Sequence, residues 1–162
     1  MKAATIKIYV IFSLIWLLLL VIDQSLKFYF LTNSSASVGG DFFSGLVRFD
    51  LAKNYGVAFG LVVQPISILV LVAATMIVLG YALIRASAAS QLLSVFALGS
   101  VLIGALSNFS DRLQYGYVID YIDVRFFTTF NLADCLITGG LALLLLDAWR
   151  RDRIKPKTGL KV

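Results

Sequence analysis

Histidine and glutamate are absent from this chain, and cysteine occurs once. Without histidine there can be no Ser-His-Asp triad, no HExxH zinc site and no Cys-His pair. The lone Cys135 excludes an internal disulfide and leaves no CxxC or Cys/His metal set. Without glutamate, aspartate is the only acidic side chain. Aspartate chemistry, Ser-Lys chemistry or no chemistry at all remain open.

Apolar side chains are abundant. Of 162 residues, 60% are hydrophobic, and mean hydropathy is +0.92. A soluble domain of this size would expose much of that surface to water. The solvent is therefore lipid, and residues 1–162 read as one compact, membrane-embedded α-helical domain. The net charge of +5 is not a nucleic-acid signature, because Lys and Arg cluster near the termini rather than along one helix face.

Four apolar runs are long enough to span: about 8–30, 65–84, 91–110 and 130–149. Roughly 20 residues each match a hydrocarbon core of about 30 Å at 1.5 Å rise per residue. Lys2, Lys7, Arg85 and the basic residues from Arg150 to Lys161 fall on one side of such a bundle. That side should be cytoplasmic, with both termini inside. The start of the chain also resembles a secretory signal peptide. Asp23 and Lys27 sit between its apolar run and any cleavage point, and three spans follow, so a retained helix is expected.

Seven of the nine aspartates (Asp23, Asp41, Asp50, Asp111, Asp120, Asp123 and Asp134) emerge on the opposite, outer face. Carboxylates near hydrocarbon are costly, and several at one membrane surface suggest a site. Two stretches, 31–64 and 111–129, lie outside. Each carries a strand pattern, around Leu46 to Leu51 and around Tyr117 to Phe127. Their aromatic content suits a surface lying on headgroups.

The polar residues allow a bland and a chemical reading at each place. Asp23 and Lys27, spaced i, i+4, either anchor the first helix at the interface or face the bundle and shape a pocket. Asn54-Tyr55-Gly56 reads as a turn, and the small residues from Gly56 to Gly60 would allow a ligand close to the backbone. Gly104 and Ser107 are small enough for helix packing. Asn108 and Arg112 share a helical face, as an outer helix end or as two arms holding a peptide backbone. Asp134 stands near the start of the fourth span. The helix dipole and an Asn131 cap could explain it, or it is a carboxylate kept at the water–lipid boundary for chemistry. If Asp120 met Asp134, the pair would titrate as a unit and could do general acid–base work.

These blocks resemble the lipoprotein signal peptidase (signal peptidase II) family. The resemblance rests on Asp23-Gln24-Ser25-Leu26-Lys27, Asn54 to Gly60, Gly104 to Arg112, Val118-Ile119-Asp120-Tyr121 and Phe130 to Asp134, in that order. It implies four transmembrane helices with a small extracytoplasmic β platform and a mobile flap in the long external stretch. It implies an aspartic endopeptidase of the bacterial inner membrane. The substrate would be a prolipoprotein whose cysteine carries diacylglycerol, cut just before that cysteine to free the signal peptide. Asp120 and Asp134 would be the catalytic dyad. Asn108 and Arg112 would grip substrate backbone, and Asp23, Lys27, Asn54, Gly56 and Asn131 would line or brace the site. No metal or organic cofactor is implied. The expected partners are membrane lipids, lipid-modified prolipoproteins and globomycin-type inhibitors, with the chain a monomer. Ser107 stands where Gly is usual and Cys135 where Ser is common. Asp123 adds a carboxylate that could shift the dyad's titration.

A small proton- or cation-coupled transporter is the main rival, since intramembrane carboxylates also relay protons. A transporter usually carries a charge near mid-bilayer, and here every span centre is uncharged. A non-enzymatic assembly subunit would leave the Asp134 block unexplained. A Ser-Lys peptidase lacks a serine suitably spaced from Lys27, and no GxGD pattern is present.

Overall fold

The computed structural model describes residues 3–33, 45–56 and 65–154. Asp41, residues 57–60 of the second block, the basic tail past Ile154 and most of the stretch assigned to a flap lie outside the described residues. The elements run α1 (Ala3–Thr32), β1 (Val47–Asn54), α2 (Pro65–Ala88), α3 (Leu92–Tyr115), β2 (Val118–Val124), β3 (Thr129–Phe130) and α4 (Leu132–Ile154).

All four helices are long and apolar enough to cross a membrane. They are not equivalent. More than half of the apolar window of α3 is buried, against 11% or less for the other three. The third helix is the core, and the others turn leucine, isoleucine and valine outward, as at Leu17, Val70, Ile77 and Leu145. In lipid such a surface carries no penalty. Small residues bring α3 and α4 together. A Cβ on Gly104 would collide with the Ala133 carbonyl oxygen, and one on Gly140 would stand 2.7 Å from that of Ala97.

The helix ends differ from the apolar runs. The third run stops at Ser110, yet α3 continues through Tyr115, because the polar side chains of its last turns find partners inside the bundle. Gly116, at φ 80°, ends it with a backbone bond from its N–H to the Arg112 carbonyl oxygen. The fourth helix starts at Leu132, two residues later than the run, because Phe130 is still paired in β3.

The sheet is antiparallel, in the order β1-β2-β3. The strand pattern around Tyr117 to Phe127 resolves into β2, a turn and the short β3, which returns the chain to α4. One extra residue on β1 between Phe49 and Ala52 forms a bulge. Beyond it Asn54 lies diagonal to Asp120, within side-chain reach. Phe30 at the end of α1 stacks on Tyr121 (centroids 5.2 Å, rings 5° apart) and on Phe49 (6.5 Å). The sheet is thereby fixed over the same bundle end that carries the polar residues.

Candidate active site

Two polar groups meet at that end. The inner one centres on Lys27. Its Nζ lies 2.8 Å from Asp23 Oδ2 and 2.9 Å from Asp111 Oδ2. It also donates to Asn108 Oδ1 (2.9 Å) and Ser107 Oγ (3.2 Å). Lys27, Asp23 and Asp111 are each at most 1% exposed. Asp23 further accepts from Ser107 Oγ (2.5 Å), the Tyr121 hydroxyl (3.0 Å) and the backbone N–H of Ala133 (3.1 Å). One carboxylate thus joins α1, α3, the sheet and the start of α4. Burial, with the Asp23 charge beside it, pushes the Tyr121 hydroxyl far above the usual tyrosine range and keeps it a donor. The i, i+4 pair therefore faces the bundle and does not anchor α1 at the interface.

The outer group holds Asp120 on β2 and Asp134 in the first turn of α4. Asn131, fully buried, is the link. Its Nδ2 donates to Asp120 Oδ1 (2.7 Å), and its Oδ1 accepts from the backbone N–H of Asp134 (2.9 Å). Asp134 Oδ2 in turn accepts from the backbone N–H of Asn131 (3.3 Å). This reciprocal arrangement is a capping box, with asparagine at the cap and aspartate three residues on. The helix-dipole explanation of Asp134 thus has a structural counterpart, which occupies one face of the carboxylate. Asn54 Nδ2 donates to Asp120 Oδ2 (3.1 Å), and Asn108 Nδ2 to Asp134 Oδ1 (2.8 Å).

Asp120 is 2% exposed, while Asp134 is half-buried. Burial lifts the Asp120 carboxyl from 3.8 to about 6, and the charge of Asp134 adds to the shift. The Asn54 and Asn131 amides and the Lys27 charge oppose it. A cleft of about 620 Å³ opens beside Asp134, with Asn54 also in its lining. Phe127, Phe130 and Ile137 make it largely apolar, and it continues past Cys135 to Gly139 on α4.

Other site candidates fall differently. Arg112 is half-buried, and its guanidinium has no hydrogen-bond partner among the described residues, although Asp134, Asp120 and Asp111 all lie within its electrostatic range. It borders a narrow recess with Tyr55 and Ile68. The backbone N–H of Gly56 donates to Asn54 Oδ1 (3.1 Å), and a Cβ there would meet nothing within 4 Å. Its smallness is not demanded by the described residues.

The family model described as Signal peptidase (SPase) II matches residues 15–150. A lipoprotein signal peptidase of Moorella thermoacetica is 36% identical over 150 residues, covering 88% of this chain and 97% of that one. One from Streptococcus pyogenes serotype M1 is 32% identical over 146 residues, covering 88% and 95%. The chain belongs to the signal peptidase II family. A solved bacterial membrane enzyme shares the fold at TM-score 0.76 and 24% identity, covering 93% of this chain and 94% of that one. This signal peptidase II chain is accordingly a multi-pass bacterial membrane protein. Its named relatives are peptidases, which leaves the transporter alternative without support.

Sequence reasoning about the signal peptidase II blocks missed four braces. Gln24 Nε2 donates to Ser107 Oγ (2.8 Å) and Asp111 Oδ1 (3.1 Å). Ser107, Asp111 and Tyr121 complete the inner group. The available signal was spacing: Ser107 and Asp111 repeat the i, i+4 step of Asp23 and Lys27, so the two pairs can interlock.

Proposed function

We propose that this chain is an aspartic endopeptidase acting on diacylglyceryl-modified prolipoproteins. It cuts before the lipidated cysteine and frees the signal peptide, with Asp120 and Asp134 as its dyad. The observation that carries this reading is the amide-linked pair of carboxylates, of which Asp134 lines a largely apolar cleft.

The two groups share one proton and titrate as a unit. Burial and the raised proton affinity of Asp120 support it as the proton's carrier. Asp134, half-buried beside the cleft, is then the side that meets water. It takes a proton from the water whose oxygen attacks the scissile carbonyl carbon. Asp120 protonates the carbonyl oxygen, giving a neutral gem-diol. As the C–N bond breaks, Asp134 gives its proton to the amine of the lipidated cysteine, a gem-diol hydroxyl returns one to Asp120, and the signal peptide keeps the new carboxyl group. Arg112, with donors available, suits a substrate carbonyl oxygen. The apolar cleft suits a substrate that stays partly in lipid.

The site is extracytoplasmic and both termini are cytoplasmic. Support comes from charge: Arg85 lies at the end of α2, and Arg150, Arg151 and Arg153 at the end of α4. Contacts from Tyr9 to the Ser87 carbonyl oxygen and from Ser94 to Asp147 hold these ends together.

The test is a cleavage assay in lipid with matched precursors, one carrying diacylglyceryl on its cysteine and one unmodified, products mapped by mass spectrometry. Cutting directly before the modified cysteine alone is expected. Cutting elsewhere, or equal cutting of both precursors, contradicts the assigned substrate.

A further inference from the structure

Asn108 is a candidate arm for substrate backbone, yet the protein already engages its amide at both ends. Oδ1 accepts from Lys27 Nζ (2.9 Å) and Asn131 Nδ2 (3.1 Å), while Nδ2 donates to Asp134 Oδ1 (2.8 Å). A side-chain amide can be seated two ways that exchange oxygen and nitrogen. The reversed seat would set an NH2 group against an ammonium and a second NH2, and a carbonyl oxygen against a carboxylate. All three partners favour the seat observed, and Lys27, the one cation among them, sets the strongest preference for an oxygen on its side. Lys27 itself has little freedom, because it is 1% exposed and gripped by Asp23 and Asp111.

We propose that Lys27 is a positioning residue for the peptidase reaction. Its ammonium fixes the Asn108 amide with the N–H toward Asp134, and that N–H holds the carboxylate in the orientation it needs toward water. The proposal rests on the aspartic peptidase reading above. Lys27 touches no reacting atom and works through Asn108. With Asn108 Nδ2 on one oxygen and the Asn131 N–H on the other, each Asp134 oxygen keeps a lone pair for the cleft.

The charges around the dyad give this role a second signature. Asp23 and Lys27 come from α1, Asp111 and Arg112 from α3, Tyr121 from β2, and Cys135 follows Asp134 on α4. Lys27 opposes the upward shift of Asp120. Removing its charge favours the protonated dyad, so both limbs of the pH–rate profile move to higher pH.

The experiment compares Lys27→Met, Asn108→Asp and the double variant in the cleavage assay, with Asp120→Asn and Asp134→Asn alongside. Misplacing a reacting group by an ångström costs about a hundredfold. Lys27→Met is therefore expected to lower kcat about a hundredfold, change KM little and move the profile to higher pH. Asn108→Asp keeps the acceptor toward Lys27 but turns a second carboxylate on Asp134, and should do the same. In the double variant the new carboxyl, without its cation, keeps a proton and donates to Asp134 as the amide did. It should cut at least as fast as Asn108→Asp alone. Multiplying losses, or an effect of Lys27→Met on KM alone, overturn the proposal. Should Lys27→Met not fold, Asn108→Asp decides, and an unchanged kcat or an unmoved profile overturns it. Cleavage by Asp120→Asn or Asp134→Asn would instead overturn the dyad beneath it.

Discussion

Asp23 and Asp111 meet a cation at 2.8 and 2.9 Å. Asp120 and Asp134, at the same end of the bundle, meet amides. The difference separates structure from chemistry. Asp23 and Asp111 are committed to one buried ammonium, and their oxygens are taken up by the elements they join. Asp120 touches only amides, and burial raises its carboxyl to about 6 although those amides pull the other way. The ionic pair joins helices to sheet, and the proposed chemistry falls to the amide-held pair.

Removing the ionic brace should have the largest effect on stability. Asp23→Ala deprives Lys27, Ser107, Tyr121 and the Ala133 N–H of a shared acceptor. Breaking a buried pair costs about 3–5 kcal/mol, so Tm in detergent should fall on the order of 10 °C. An unchanged Tm would erase the distinction.

The amide-held pair should behave in the opposite way. Folded Asp120 binds its proton more tightly than an ordinary carboxylate. Its contribution to stability is fully present below pH 3.8 and is lost as pH rises through about 6. Asp120→Asn cannot ionise, so it should melt above the wild type at alkaline pH. The advantage should shrink through pH 6 and vanish in acid. A Tm difference independent of pH would show that Asp120 is not a raised carboxyl.

Ser107→Ala should be mildest. It removes the hydroxyl between Asp23, Gln24 and Lys27 but leaves Asp23 its other three donors. A loss of about 1 kcal/mol is expected, with activity within severalfold of wild type. A collapse of activity would move Ser107 from brace to machinery.

Legibility in the sequence followed the range of each interaction. The four spans come from local composition, and the Asn131–Asp134 cap from residues three apart. The first strand was readable from alternation up to Leu51. The reach of Asp23 to Tyr121 and Ala133, 98 and 110 residues away, was not, because periodicity tells which face a residue occupies and not which neighbour waits there. The last turns of α3 were missed for the same reason. Asn108 and Asp111 look like the end of an apolar run until Lys27 is placed against them. Ser107 looked like a packing residue because its partners, Gln24 and Asp23, lie on another helix.

The central claim is that the amide-held carboxylates do the chemistry. The most direct measurement is the initial rate of cleavage of a lipid-modified prolipoprotein by wild type, Asp120→Asn and Asp134→Asn, at a temperature where all three are folded. Each variant should lose at least about a thousandfold in kcat. A variant that keeps cutting within tenfold of wild type would contradict it.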